Sequence, residues 1–275
     1  MNLKANFMSE IKDIKRIVIK VGSSIISDGN ALAQGQIENL CAFIAKLRTK
    51  FEVILVSSGA VVSGYTQLKI DKSFIENKQV LASIGQPLLM EAYRNALKAH
   101  NIIPAQLLVM GFIFDSIKRS SYAKRTIETL LANKILPIIN ENDVLTQGEM
   151  MFLDNFGDND NLGASVTHLA NADMLVILSD IYGYFDKNPL ESQDARLIKN
   201  VRAIRAECLN AEQKGGSYFS TGGIVTKLNA ADFLLKKGRK MFLCSGFDLK
   251  PTLDFLLNGK HEKGTLFSAE SGEII

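Results

Sequence analysis

The chain has 275 residues, 47% hydrophobic and 22% charged, enough for a sizeable core built as one large domain or two lobes. A formal net charge of +3 creates no long-range field that calls for a nucleic-acid or membrane partner, although a small basic excess suits anionic substrates. Three scattered cysteines (Cys41, Cys208, Cys244) argue against a disulfide scaffold, and three scattered histidines (His100, His168, His261) with no HExxH pattern or Cys/His cluster give no sign of zinc.

Short runs rich in Ile, Val and Leu, apolar at nearly every position, predict strands buried on both faces, as in a parallel sheet. In chain order the first is Arg16 to Val21, followed by a helical pattern over Gln36 to Leu47 with apolar Ile37, Leu40, Cys41, Ile44 and Leu47. Strands follow at Val53 to Val56 and Ile102 to Val109, then a helix over Tyr122 to Leu131 and a strand at Leu136 to Ile139. Asn140 to Asn161 is polar, acidic and irregular, and long for a loop in a compact domain. A helix over Gly163 to Leu169, a strand at Met174 to Leu178, a helix over Thr226 to Lys236 and a strand at Met241 to Leu243 complete the series. Strand–helix alternation predicts an α/β domain with right-handed crossovers. The N-terminus mixes acids and bases before its first apolar run and does not read as a signal peptide. No apolar stretch is long enough to span a bilayer, so a cytoplasmic location is the default expectation.

Five segments could carry chemistry, and three of them have the composition of an anion site. Ile19-Lys20-Val21-Gly22-Ser23-Ser24 ends a buried strand in a Lys, a Gly and two hydroxyls. Gly lets backbone approach a phosphate, while Ser and N–H groups donate to its oxygens. A solvated Lys at an ordinary strand-to-loop turn would look the same. Val56-Ser57-Ser58-Gly59-Ala60 repeats the theme, with a packing turn as the alternative. Ile139-Asn140-Glu141-Asn142-Asp143 and Gly157-Asp158-Asn159-Asp160-Asn161 flank the irregular stretch. Such side chains hold an ammonium, orient a catalytic Lys or join a magnesium shell, but they are also turn and cap formers. Thr221-Gly222-Gly223-Ile224-Val225-Thr226-Lys227 enters a helix. Its free N–H groups favour phosphate, and a Lys in the first turn, against the helix dipole, suggests an anion beside it; a hinge before a surface helix is the alternative. Leu178-Ser179-Asp180, leading into an aromatic Gly loop up to Pro189, suits a base and ribose or simply local packing. No GxxxxGK[ST], strand-linked GxGxxG, HRD or DFG pattern is present.

In this order, and together with Ala82-Ser83-Ile84-Gly85-Gln86 and Gly264-Thr265-Leu266-Phe267, these segments resemble the amino-acid kinase family from about Arg16 to Phe267. The resemblance implies a three-layer αβα sandwich around a mostly parallel sheet. It also implies one kinase domain over residues 1–275, with a glutamate-binding lobe to about residue 170 and an ATP-binding lobe beyond. It implies transfer of the ATP γ-phosphate, with Mg2+, to the γ-carboxylate of L-glutamate, a step that feeds proline synthesis. Lys20, Lys227 and Asp160 are then catalytic, and Ser58, Gly59, Asp143 and Asn159 hold glutamate. Lys20, Gly22, Ser23, Ser179, Asp180 and the run Thr221, Gly222, Gly223, Ile224, Val225, Thr226 and Lys227 hold the nucleotide. No residue is assigned as a protein ligand of the metal. A homo-oligomer and inhibition by proline are also implied, with no nucleic-acid or membrane partner. Four features depart from the pattern. Val109-Met110-Gly111-Phe112 lacks the usual Thr-Arg, the stretch between Asp143 and Gly157 is longer, Ile224 replaces a common Met, and a C-terminal PUA domain is expected to be missing. Related substrates such as aspartate, acetylglutamate, carbamate or UMP are the nearest alternatives, and Asp143 with Asn159 favours a free α-amino group. A catalytically silent binding protein is the alternative from another class.

Overall fold

The structure, a computed structural model, describes residues 10–145, 159–189, 191–209 and 222–275. Nine strands among these residues form one sheet. They are β1 (Arg16–Val21), β2 (Glu52–Ser57), β3 (Pro104–Val109), β4 (Leu136–Glu141), β5 (Met174–Ser179), β6 (Asn200–Ala203), β7 (Lys240–Ser245), β8 (Thr265–Phe267) and β9 (Glu273–Ile274). Their order is β3-β4-β2-β1-β5-β7-β8-β6-β9, and every pairing is parallel except β7 with β8. The helices are α1 (Ser23–Ile26), α2 (Gln34–Leu47), α3 (Ala60–Tyr65), α4 (Ile75–Lys98), α5 (Ile117–Ala132), α6 (Asn159–Leu169), α7 (Ala206–Leu209), α8 (Gly222–Lys236) and α9 (Leu249–Asn258).

Alternation along the strands divides the interior into two cores. Ile17, Ile19 and Val21 of β1 join Leu55, Val176 and Phe242 beneath α2, α4 and α9. Val18 of β1 joins Ile54, Val56, Leu175 and Ile177 beneath α5, α6 and α8. The result is the three-layer α/β/α arrangement with a mostly parallel sheet, its central strands buried on both faces. Lys20 has the parity of Val18, so it projects into the layer of α6 and α8 rather than into the opposite core.

Three boundaries differ from the sequence-based expectation. Helix α6 includes Asn159 to Asn161, and α8 includes Gly222 and Gly223, so both Asx and Gly-Gly motifs lie on helix rather than loop. The 24-residue α4 was not anticipated as a helix at all. Residues 146–158 of the irregular stretch lie outside the described residues.

Helices α3 and α4 meet backbone to backbone. A Cβ on Gly85 would stand 1.8 Å from the Ala60 carbonyl oxygen and 2.3 Å from the Gly64 nitrogen; one on Gly64 would stand 1.9 Å from the Leu81 oxygen. Neither obstacle is a flexible side chain, so the helices must separate to admit a methyl group. Their union fixes the turn at Gly59, which is left-handed (φ 113°) and leads into α3. Gly85→Ala is therefore expected to destabilise the protein by about 1–3 kcal/mol or more, despite the better helix propensity of Ala. Urea denaturation checks this; an unchanged midpoint would refute the close approach.

Candidate active site

The sheet changes direction between β1 and β5: the chain leaves β1 toward β2, whereas β5 is followed outward by β7. In open parallel sheets such a switch point opens a crevice at the carboxyl ends of the strands. Register aligns the strand ends here. Val21 pairs with Ser57 on one side and with Leu178 on the other, and Ser179 pairs with Ser245. Gly22, Ser58 and Ser179 therefore stand level, one residue beyond these pairs, and Ser245 extends the row. Ser245-Gly246 is a third Ser/Gly strand end, beside Gly22-Ser23 and Ser58-Gly59, that the sequence reading did not single out.

At this edge three charged side chains meet. Lys20 Nζ lies 2.6 Å from Asp160 Oδ1, and Lys227 Nζ lies 3.0 Å from Asp160 Oδ2. Each carboxylate oxygen thus takes a different ammonium. The Asp160 side chain is fully buried, while those of Lys20 and Lys227 are 8% and 12% exposed. Burial alone would push the Asp160 carboxyl up, but the charges and hydrogen bonds of Lys20 and Lys227 outweigh it and hold it below the usual carboxylate range. Among the described residues the cluster sets two cations against one anion. Lys227 also donates to the Gly223 carbonyl at 2.9 Å, and Thr226 Oγ1 donates to the same oxygen at 3.1 Å. Because α8 includes Gly222, Lys227 falls in the second turn, and the nearby anion suggested by its position is Asp160 itself.

Glycine keeps the space before both ammonium groups open. An added Cβ would lie 3.7 Å from Lys20 Nζ at Gly22 and 3.8 Å from Lys227 Nζ at Gly223. Gly163 acts on the other side of Lys20: its Cβ would lie 3.3 Å from Lys20 Cβ and 3.2 Å from Leu175 Cδ1. That glycine lets α6 sit low on β1, so Asp160 reaches Lys20.

The remaining expected residues fall into distinct places. Asn159 donates its amide to Ser58 Oγ, which joins the second strand end to the helix of Asp160. Gly59 forms the left-handed turn beside Ser58, and Ser23 opens α1. Ser179 donates to its neighbour Asp180 at 2.9 Å and stands at the end of β5. Asp143 lies in the turn after β4, where burial, and next the charge of Glu141, push its carboxyl up to about 6. The side chains of Ile224 and Val225 belong to the core under α8, so only their backbone is left to meet a ligand. Thr221 lies outside the described residues. Behind the site, Asn140 donates to Gln86 at 3.0 Å, tying β4 to α4, and Ser57 shares a 2.7 Å hydrogen bond with buried Tyr93.

Fold and site together define an α/β protein that gathers cations, hydroxyls and open glycines around one anion. Residues 15–245 match the model of the Amino acid kinase family, and the chain belongs to that family. Among curated relatives, the glutamate 5-kinase of Wolinella succinogenes is 52% identical over 261 residues, covering 94% of this chain and all of that protein. The glutamate 5-kinase of Helicobacter hepaticus is 53% identical, covering 92% of this chain and 94% of that one. A crystal structure of UMP kinase from Ureaplasma parvum shares the fold at a TM-score of 0.64 and 17% identity, over 93% of this chain and 99% of that one. Carbamate kinase from Giardia lamblia, bound to AMP-PNP, does so at 0.63 and 18%, with the same coverage.

Replacing Asp160 by Asn would leave two largely buried ammonium groups facing each other. A loss of about 3 kcal/mol is expected by urea denaturation, since removing one partner from a buried ion pair leaves an uncompensated charge. Added sulfate should restore more stability to this variant than to the parent protein, by occupying the place of the carboxylate. Equal responses would count against charge balance as the role of Asp160.

Proposed function

We propose that the chain transfers the γ-phosphate of ATP to the γ-carboxylate of L-glutamate, giving γ-glutamyl phosphate for proline synthesis. The observation that carries this reading is the meeting of Lys20 and Lys227 on Asp160, beside glycines that leave room for a polyanion. The names and identities of the curated relatives support the choice of glutamate.

The chemistry suits the donors present. A phosphoryl group in flight carries negative charge on its outer oxygens, so alignment and cations do most of the work. The acceptor carboxylate is ionised at neutral pH, with an ordinary pKa of about 4.3, and requires no general base. Repulsion between two anions is the obstacle. Lys20 and Lys227 offset it, and Asp160 keeps the two ammonium groups apart and aimed. Backbone N–H groups around Gly22 and Gly223 supply further donors. Ser179 and Asp180, at the next strand end, are assigned to the nucleotide, and Ser58, Asn159 and Asp143 to the amino acid. This places the amino acid over residues up to about 170 and the nucleotide over the remainder.

Magnesium would supply charge neutralisation on the phosphates. Among the described residues no three His, Cys, Asp or Glu side chains stand close enough to cage a metal, and both Asp160 oxygens face lysines. That donor set fits an ion carried on the nucleotide phosphates, the usual habit of magnesium, rather than one held by the protein. No described helix is long and apolar enough to cross a membrane. We place the protein in the cytoplasm, as a homo-oligomer open to inhibition by proline.

A coupled assay with ATP, Mg2+ and glutamate, with and without proline, tests the reading. Glutamate-dependent ADP release supports it, and activity with UMP or carbamate in place of glutamate would overturn it. Lys227→Ala should lower kcat by about 100-fold or more with a far smaller rise in KM for glutamate, as for loss of a group acting in the transition state. An unchanged kcat would remove Lys227 from the chemistry.

Asp143 gives a pH signature. Only its charged form pairs with the substrate ammonium, and its carboxyl is pushed up to about 6. The kcat/KM for glutamate should therefore fall as pH drops through 6, approaching tenfold per unit, and level off above about pH 7. Asp143→Asn should be weaker throughout and lack that limb; a limb that persists would assign it to another group. The sign for stability is opposite to that of a paired acid. Because the folded carboxyl resists ionising, it lowers stability as pH rises from about 4 toward 6.

A further inference from the structure

A second cavity, of about 730 Å³, lies on the outer side of α6, between α5 and α8. Its size is that of a small-molecule site. Asn161, Ser165 and His168 line it at spacings of four and three on α6, the stripe that faces away from β1. Asn229 and Phe233 line it from α8, one turn apart, Lys237 from the turn just after that helix, and Lys124 closes it from α5. The wall is thus two phenyl rings (Phe114 and Phe233), several amides and hydroxyls, and two ammonium groups. Asp115 is the single acid on the lining. Among the described residues neither Lys124 nor Lys237 has an ion pair, and Lys237 lies over the Phe233 ring at 5.9 Å. Phe233 also meets His168 edge to face, with ring centroids 6.0 Å apart.

From this lining we propose that the cavity is a second ligand site, for a small anion with a flat apolar body, such as an aromatic carboxylate or phosphate. The ammonium groups of Lys124 and Lys237 would take the anionic group, Phe233 would stack on the flat part, and Asn229 would fix orientation. His168 reports the field there. Burial, then the charges of Lys237, Arg239 and Lys124, hold its pKa below the ordinary value. Arg239 is itself bonded to the Ala172 carbonyl and the Asn171 side chain, which leaves the two lysines as the cations open to a ligand.

The position separates this site from the phosphate cluster yet links the two. His168 is eight residues from Asp160, about 12 Å along α6. The same two helices carry both places: α6 holds Asp160 and Asn161, and α8 holds Lys227 and Asn229. A ligand that draws α6 toward α8 would alter the Asp160–Lys227 contact, so occupancy should change the rate of phosphoryl transfer. That second step rests on the proposed kinase reading; binding does not.

The histidines make the test simple, since the chain has three. Protein labelled at the histidine Cε1 carbons is titrated with benzoate and phenyl phosphate, with benzamide as the neutral control and His168→Gln to assign the signal. The anions should shift the His168 resonance saturably and raise its pKa, because a bound negative charge favours the imidazolium. Faced around the ring are Lys124 from α5, Lys237 and Arg239 at the end of α8, and Asp115. The double substitution Lys124→Gln, Lys237→Gln should weaken anion binding at least tenfold while leaving basal activity and the melting temperature in place. No saturable shift, equal binding of benzamide, binding unaffected by the double substitution, or displacement by a non-hydrolysable ATP analogue would each overturn the site. A confirmed shift with unaltered phosphoryl transfer would overturn the coupling and leave the site; absent glutamate-dependent activity with a confirmed shift would count against the kinase reading alone.

Discussion

A buried carboxylate shared by two lysines is the constraint around which this protein is arranged. Asp160 is stabilised as an anion by Lys20 and Lys227, which bond its two oxygens, and Asp160 in turn balances those lysines at low exposure. The geometry demands three independent decisions of the fold. Strand parity must send Lys20 toward α6, a glycine at 163 must let α6 approach β1, and α8 must pack beside α6 with Lys227 one turn inside its start. Among the described residues the trio sets two cations against one anion, which is a sound basis for receiving phosphate.

Much of this was legible in the sequence because the signals are local. The strands β1, β2, β4, β5 and β7 are short apolar runs that nothing else explains, and α2 carries its core residues at helical spacing. The strand-end motifs with Ser and Gly are visible for the same reason. Helix α4 was not visible. Pro87 and Gly85 lie inside it, and apolar Ile75 and Val80 are exposed, so it lacks a clean apolar stripe. Tertiary contact with α3 and the Asn140–Gln86 hydrogen bond support it instead. Likewise β6, β8 and β9 have four residues or fewer and depend on partners for their existence.

The site itself divides along the same line. That Lys20, Asp160 and Lys227 belong together came from the ordered resemblance to a family, since no local pattern relates residues 67 or more apart. Gly163 was hidden because its importance lies in what it leaves out, and Ser245-Gly246 because a single short dipeptide is common. The cavity on the far side of α6 has no motif at all. Its lining comes from three helices and three connecting segments, and the residue types are ordinary surface ones until the fold assembles them.

The distance along the chain between Lys20 and Lys227 has a consequence for biogenesis. The first lysine emerges early in synthesis on a central strand, but its neighbour β5 and the helix bearing Asp160 come only after residue 158, and the second lysine near the end. Until then β1 has an unpaired edge and a cation without its counter-ion. The nascent chain therefore passes through an interval in which a lysine destined for burial lacks its carboxylate partner, the period when a parallel sheet of long-range pairings is most exposed to misassociation. Assembly of the charged cluster waits on α8, and β7 and its neighbours follow still later, so a chain truncated before α8 would lack both the cluster and one side of the sheet.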